Sequence, residues 1–168
     1  MLVSKYIFVW LRLGVSARMD LLYVTTKFFV NMENNKITIK AMVSADKQKV
    51  WDYYTQPEHI TQWNFADPSW HCPTATNDMK VGGRYVARME AKDGSFGFDF
   101  DAVYTAVNAG ENFTYEFGGR YATVAFNEAN SQTEVVITFD PETENSIELQ
   151  QSGWQAILDN FKNYVETN

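Results

Sequence analysis

The sequence predicts an α+β fold, in which a curved antiparallel sheet wraps around a long C-terminal helix and encloses an apolar cavity. The elements follow the order β-α-α, a run of β, then α. Apolar and polar residues alternate through the run of strands, which is typical of an antiparallel sheet with one buried face. Aromatic residues make up 15% of the chain, and this surplus over the needs of a plain core suits an apolar pocket.

The first predicted elements are a strand and two short helices. Apolar residues at every second position from Ile37 predict a strand that runs through Val43. Ser44 is expected to cap a helix that begins at Ala45. Pro57 suits the first turn of the second helix, where a backbone N–H would have no partner within the helix.

A loop-rich segment with one short strand, between Trp70 and Thr76, leads into a meander of five antiparallel strands. Turn signals such as Lys92–Gly94 separate these strands. Asp99 and Asp101 are expected to face solvent, because they alternate with an apolar stripe on the opposite face of their strand. That stripe consists of Phe96, Phe98, Phe100, Ala102 and Tyr104.

The last predicted element is the long helix, which begins at about Asn145. Its apolar positions recur with the helical period and are Trp154, Ile157, Leu158, Phe161 and Val165. Gly153 lies inside this helix, where glycine costs about 1 kcal/mol relative to alanine. We expect a strand or the cavity to approach the helix backbone closely at Gly153.

Residues 1–31 differ in charge from the rest of the chain. Four basic residues and one acidic residue give them a net charge of +3, and the chain total of −7 leaves −10 for the remainder. Neither of their two apolar runs reaches the ~18 uninterrupted apolar residues of a membrane span. We therefore expect an N-terminal extension over residues 1–31 and one domain over residues 32–168. An ordinary N-terminal helix is the alternative.

Charge and cysteine content limit which binding partners and which cellular compartment are expected for the protein. A body this acidic repels phosphate backbones, so nucleic acid is not an expected partner. Cys72 is the only cysteine, which excludes an internal disulfide and is consistent with a reducing, cytoplasmic location.

Four segments together carry a resemblance to a known family. They read VWDYYTQPEHITQW, WNFADPSWHCPTATNDMKVGGRY, RMEAKDGSFGFDFDAVY and GWQAILDNFKNYVE. From Lys36 to about Glu166 the chain resembles the SRPBCC (START, or birch-pollen-allergen-like) superfamily. Within it, the chain is most similar to the branch named for the activator of heat-shock protein 90 ATPase, C-terminal domain. In one respect the chain departs from the family pattern, because Gly119 stands where an acidic residue is expected before Arg120.

The resemblance implies the helix-grip fold, a curved antiparallel sheet that grips a long C-terminal helix around an apolar cavity. Members of the superfamily bind lipids, sterols, polyketides or other hydrophobic molecules, some are cyclases, and some bind a chaperone. The resemblance therefore implies a small hydrophobic ligand and leaves its identity open.

The adjacent His71 and Cys72 raise the question of a nucleophile or a metal site. Neighbouring residues on an extended segment point to opposite sides, so they do not form a nucleophile–base pair easily. His59, His71 and Cys72 are the only nitrogen and sulfur candidates, and no metal-ligand spacing links them. We expect no metal, no cofactor and no catalytic cysteine. His71 stays a candidate polar group at the mouth of a pocket.

The aromatic residues give the stronger signal for a binding site. Arg120 and Arg88 are candidates to orient an anionic head group, although exposed arginines are the default. The predicted cavity residues are Trp63, Trp70, His71, Tyr85, Met89, Phe98, Phe100, Tyr104, Tyr115, Arg120 and Trp154.

The sequence is compatible with three functions. The first is the binding of a small hydrophobic molecule without covalent chemistry. The second is a chaperone-interacting, stress-related protein, and 31 additional residues are too few for the extra domain of the chaperone activator proper. The third is a polyketide-cyclase-like enzyme, which would need a polar pair facing the cavity, such as His71 with Tyr85 or Tyr104. The oligomeric state is open.

Overall fold

A computed structural model describes residues 36–168, which form eight strands and three helices. The strands are β1 Ile37–Val43, β2 Trp70–His71, β3 Ala75–Asn77, β4 Arg84–Ala91, β5 Gly97–Asn108, β6 Asn112–Phe117, β7 Arg120–Ala129 and β8 Gln132–Phe139. The helices are α1 Lys47–Thr55, α2 Pro57–Trp63 and α3 Ile147–Thr167. This order confirms the predicted α+β helix-grip fold. The expected extension over residues 1–31 lies outside the described residues.

The strands form one antiparallel sheet in the order β1-β8-β7-β6-β5-β4-β2, and β3 also pairs with β4. β4 to β8 are the predicted five-strand meander, in which each strand pairs with the next. β1 closes the other side by pairing with β8, with Ile37 opposite Phe139. The first and last strands of the described sequence therefore lie side by side.

The alternation of residues along each strand decides which face of the sheet is buried. The inner face carries the apolar residues and the outer face carries charged and hydroxyl side chains. On β5, Phe100, Ala102 and Tyr104 face inward, whereas Asp99 and Asp101 are exposed, as predicted. The largest fully buried side chains of the sheet are Phe113, Phe126, Phe139, Val43, Val124, Val135 and Thr133.

A bulge and tight turns support the curvature of the sheet. On β5, Thr105 is an extra residue, because Tyr104 pairs with Tyr115 and Ala106 pairs with Thr114. Such a bulge bends a strand and increases its twist. The β6–β7 hairpin has a two-residue loop, Gly118–Gly119, in which both residues have positive φ. These dihedrals are those of a type I′ turn, which suits the twist of the flanking strands.

α3 packs along the inner side of the sheet and contacts β1 and the two short helices. Ser146 caps it, because its side chain accepts a hydrogen bond from the Leu149 N–H. Trp154 stacks on Phe139 with ring centroids 4.1 Å apart. The close approach expected at Gly153 is wrong, since no atom of residues 36–168 beyond the neighbouring helix backbone lies within 4 Å of where its Cβ would be.

The cap of α1 also differs from the prediction. The helix begins at Lys47, and its cap is Asp46, whose carboxylate accepts a hydrogen bond of 3.0 Å from the Lys49 N–H. Ser44 lies two residues too early to cap. Its backbone N–H donates instead to Glu166 Oε1 at 2.7 Å, which links the end of β1 to the last turn of α3.

Candidate functional site

A cavity of about 350 Å³ lies between the inner face of the sheet and α3. The sheet supplies its floor, α3 its roof, and α1 and α2 one side. Aromatic side chains dominate its lining, because every second residue of the curved strands points inward and many of these positions hold Phe or Tyr. A cavity of this size lies at the lower end of the range for small-molecule sites.

Nine of the eleven predicted cavity residues line this space. They are Trp63, Tyr85, Met89, Phe98, Phe100, Tyr104, Tyr115, Arg120 and Trp154. They come from α2, β4, β5, β6, β7 and α3, so the fold alone brings them together. Phe98 is 43% exposed, which marks the side on which the cavity opens.

The remaining two predicted residues, Trp70 and His71, do not line the cavity. Trp70 pairs with Ala91 on the inner face, beyond the cavity, and its ring packs edge-on against Phe96 and Phe98. His71 pairs with Glu90 on the outer face. Its Nε2 lies 3.7 Å from Glu90 Oε2.

The position of His71 corrects two expectations at once. It is not a polar group at the cavity mouth, because the two-residue strand β2 turns its side chain to the outer face. For the same reason it cannot pair with Tyr85 or Tyr104, which line the cavity from the inner face. The sequence could not indicate this, because the pairing register of so short a strand is set only in the folded sheet.

One end of the cavity is formed by a tyrosine cluster, which we define as Tyr54, Tyr85, Tyr104 and Tyr115. Two of these hydroxyls are held by asparagine side chains. Asn64 Nδ2 donates to the Tyr85 hydroxyl at 2.9 Å, and the Tyr104 hydroxyl donates to Asn77 Oδ1 at 2.8 Å. Asn77 is itself fixed, since its Nδ2 donates to the Thr55 carbonyl at 2.7 Å.

Burial keeps the tyrosine cluster neutral. It raises the pKa of all four phenols above the ordinary value near 10, and neighbouring phenols raise the pKa of Tyr54, Tyr85 and Tyr115 further. The hydrogen bond to Asn77 opposes this shift only partly at Tyr104. At neutral pH the cluster therefore presents O–H groups and no phenolate.

A second group of lining residues, which we call the mouth, consists of Phe98, Arg120, Glu142 and Gln150. The guanidinium of Arg120 lies over the Phe117 ring, 4.5 Å from its centroid, directly after the Gly118–Gly119 turn. Gln150 fastens the loop that precedes α3, because its amide bonds to the backbone of Glu142 and Asn145. Charge and amide groups thus surround the entrance to an apolar interior.

Several lining residues were missed in the sequence. Tyr54 shares a helix face with Val50 and Trp51, which marked it for burial but not for a cavity. Asn64 and Asn77 lie at a helix end and in a three-residue strand, where asparagine is ordinary. Glu142 and Gln150 belong to a polar stretch of the sequence, in which Glu142 is expected in a loop and Gln150 in a helix. No local sequence pattern indicates that a polar residue will face a cavity.

The groups that resemble reactive chemistry lie elsewhere. Cys72 is buried, and this burial raises the pKa of its thiol to about 11, so it stays protonated at neutral pH. Arg88 and Asp99 face each other on the outer side of the sheet at 3.4 Å, and Arg84 pairs with Asp101 in the same way. Arg88 is therefore not available to orient a ligand in the cavity.

The described residues hold neither a metal-ligand cluster nor a helix that could cross a membrane. Between Lys36 and Asn168, no three His, Cys, Asp or Glu side chains converge as metal ligands would. Within the same residues, none of the helices has the length and apolar character that a membrane crossing requires.

Comparison with known proteins gives a consistent result. Residues 44–166 match the family model described as activator of Hsp90 ATPase homolog 1-like protein. No sequence match is found among curated proteins.

Solved structures show the same architecture. An AHSA1-like protein from Aeromonas hydrophila is 42% identical, with a TM-score of 0.75 over 79% of this chain and 92% of that one. The protein Chr148 from Cytophaga hutchinsonii is 48% identical, with a TM-score of 0.69 over 80% of this chain and 94% of that one. The protein CV1439 from Chromobacterium violaceum is 20% identical, with a TM-score of 0.69 over 80% of this chain and 99% of that one, and shares the fold.

Proposed function

Because the chain belongs to the family of activator of Hsp90 ATPase homolog 1-like proteins, whose fold encloses a cavity here, we propose that it binds a small hydrophobic molecule without covalent chemistry. The observation that carries the proposal is the open, aromatic-lined cavity of about 350 Å³. A well-packed core leaves few voids larger than a water molecule, so a space of this size is more than a packing defect.

The side chains around the cavity suit binding better than catalysis. Apolar groups supply most of the lining, and a few polar groups at the two ends can orient a bound molecule. The cyclase-like alternative loses its proposed pair, because His71 lies on the outer face. Among the described residues of the lining, Arg120 and Glu142 are the only charged groups, and both belong to the mouth rather than to the tyrosine cluster.

The direct test is native mass spectrometry of the protein purified from its own cells, followed by thermal unfolding with a panel of lipids and aromatic compounds. We expect a co-purifying hydrophobic molecule, and compounds from the panel should raise Tm, because a ligand that binds only the folded state stabilises it. If no molecule co-purifies and no compound shifts Tm, the proposal is wrong.

A cavity-filling variant locates the binding. Ile157→Trp adds an indole to a lining position of α3, and we expect ligand binding to be abolished. Overpacking costs about 1–3 kcal/mol in stability, so circular dichroism should still show a folded protein. Ile147→Trp is the matched control, because Ile147 is 45% exposed on the same helix and should leave binding unchanged. Equal binding by both variants would place the ligand outside the cavity.

Chaperone binding is the second candidate function, because the family takes its description from an activator of the Hsp90 ATPase. Large apolar side chains that protein contacts could use are exposed at Val81, Phe96 and Leu149. The distinguishing measurement is the ATPase rate of the chaperone with and without this protein. Stimulation that survives Ile157→Trp would establish a chaperone function independent of the cavity, and an unchanged rate would remove this candidate.

A further inference from the structure

Two hydroxyls of the tyrosine cluster, those of Tyr54 and Tyr115, have no hydrogen-bond partner among residues 36–168, unlike those of Tyr85 and Tyr104. Every fully enclosed side-chain nitrogen or oxygen in this part of the chain has a partner. An unpartnered hydroxyl must therefore touch open space.

For both residues this open space is the cavity. Tyr115 is only 4% exposed and lines the cavity wall, between Tyr85 and Tyr104. Tyr54 is half-buried, its ring packs edge-on against Phe126 and Phe161, and it lines the same cavity.

The cluster offers more donors than acceptors to the cavity. Each phenol has one O–H to donate. The Tyr104 hydroxyl donates its hydrogen bond to Asn77. The hydroxyls of Tyr54, Tyr85 and Tyr115 donate to no acceptor in the described chain. A molecule that fills this end without an acceptor would leave these O–H groups unpaired, which costs free energy in a buried site.

Charge decides which acceptor fits. Among the described residues of the lining, Arg120 is the only cation, and its guanidinium is held over the Phe117 ring, 4.5 Å from the centroid. The same burial that raises the pKa of the phenols disfavours any negative charge placed next to them. A carboxylate buried next to the phenols would therefore lose its hydration, while the one described cation of the lining is already engaged over the Phe117 ring.

We propose that the hydroxyls of Tyr54 and Tyr115 form a polar subsite for a neutral carbonyl oxygen of the bound molecule, so that the ligand is an uncharged hydrophobic ketone, ester or amide whose carbonyl end enters first. The inference rests on the proposed ligand binding and narrows its chemistry. The cavity wall supplies the apolar contacts. The subsite distinguishes a carbonyl compound from an apolar molecule of the same shape, because only the carbonyl oxygen accepts the hydrogen bonds.

The test compares three probes of one skeleton: 2-acetylnaphthalene, its hydrocarbon isostere 2-isopropenylnaphthalene, and the anion 2-naphthoate. Isothermal titration calorimetry on the wild-type protein should show the ketone binding at least about fivefold more tightly than the hydrocarbon, since a net hydrogen bond is worth roughly this factor. The carboxylate should bind most weakly. The carbonyl carbon of ¹³C-labelled 2-acetylnaphthalene should shift downfield on binding, as it does when a carbonyl accepts a hydrogen bond.

Two variants assign the effect to the hydroxyls. Tyr54→Phe and Tyr115→Phe should each weaken ketone binding about fivefold, leave hydrocarbon binding unchanged and reduce the ¹³C shift. Tyr121→Phe is the matched control, because Tyr121 is 45% exposed and does not line the cavity. The probe comparison on the wild-type protein stands even if a variant folds poorly.

The outcomes separate this inference from the proposed function. If panel compounds raise Tm but the ketone binds no better than the hydrocarbon, the subsite is wrong and ligand binding stands. The same conclusion follows if the variants leave the ketone preference intact. If neither the panel nor any of the three probes binds, ligand binding fails and the subsite falls with it.

Discussion

Two tyrosines of the cavity wall, Tyr85 and Tyr115, carry the same hydroxyl in different surroundings. The Tyr85 hydroxyl accepts a hydrogen bond from Asn64, whose side chain is buried, whereas the Tyr115 hydroxyl faces the cavity. The oxygen of the Tyr85 hydroxyl therefore holds a buried side chain of the protein, whereas the Tyr115 hydroxyl holds no other side chain of residues 36–168. Neighbouring residues of one type thus serve different purposes.

This difference predicts opposite results for one substitution at two sites. Tyr85→Phe leaves the Asn64 amide without its acceptor, so we expect the free energy of unfolding to fall by about 1–3 kcal/mol. Tyr115→Phe removes a hydroxyl with no partner in residues 36–168 and should change stability by less than about 0.5 kcal/mol. Urea unfolding followed by circular dichroism measures both. An equal loss at the two sites would mean that the Tyr115 hydroxyl is also a structural group.

At the level of elements, alternation and helical period were enough to predict the five-strand meander and the C-terminal helix. The cap of α1 was less predictable, because Ser44 and Asp46 are both good capping residues and the choice depends on the contact of Ser44 with Glu166, more than 100 residues away. Of the nine predicted residues that line the cavity, six lie on apolar strand faces, two are helix tryptophans and one is Arg120. The asparagines were missed because their partners are distant in sequence.

Two glycines allow a matched experiment at the same level. Gly153 has helical surroundings with free space at its Cβ position, so Gly153→Ala should raise the free energy of unfolding by up to about 1 kcal/mol. Gly119 also has free space, but its φ of +78° disfavours any Cβ, so Gly119→Ala should lower it by about 1–2 kcal/mol.

Thermal and urea unfolding of the two alanine variants check this prediction. Neither added Cβ would contact a neighbouring group. Opposite signs for the two changes in unfolding free energy would therefore reflect backbone conformation and not packing. Backbone conformation also gives a reason for the departure at position 119, since the type I′ turn that delivers Arg120 to the mouth favours glycine over an acidic residue there. Destabilisation by Gly153→Ala would show that the helix surface at Gly153 is in contact with another group.

For the whole molecule, the buried phenols predict how stability depends on pH. Their pKa values are raised in the folded state, so the unfolded chain loses these protons at lower pH than the folded protein. Their contribution is therefore complete below pH 10 and is lost as pH rises above 10. Cys72, with a folded pKa of about 11 against an ordinary value of 9, adds a loss of the same sign that starts from pH 9.

We expect the urea midpoint to stay level between pH 7 and 9 and to fall steeply above pH 10. Phenolate absorbance at 295 nm should rise together with unfolding for the buried tyrosines. Tyr115→Phe should make the fall shallower, and Tyr121→Phe, the exposed control, should not. A midpoint that is flat to pH 12 would contradict the burial of these phenols.

The adjacency of β1 and β8 has a consequence for how the chain reaches its structure. Within the described residues, the strand that begins at Ile37 pairs with β8, which ends at Phe139, and the helix that covers it ends at Thr167. Contacts between such distant parts of a chain slow folding, because a long loop must close before any of them forms. During synthesis on the ribosome, the pairing of β1 with β8 can therefore form only after the meander has emerged, and the cavity exists only once the last helix has followed.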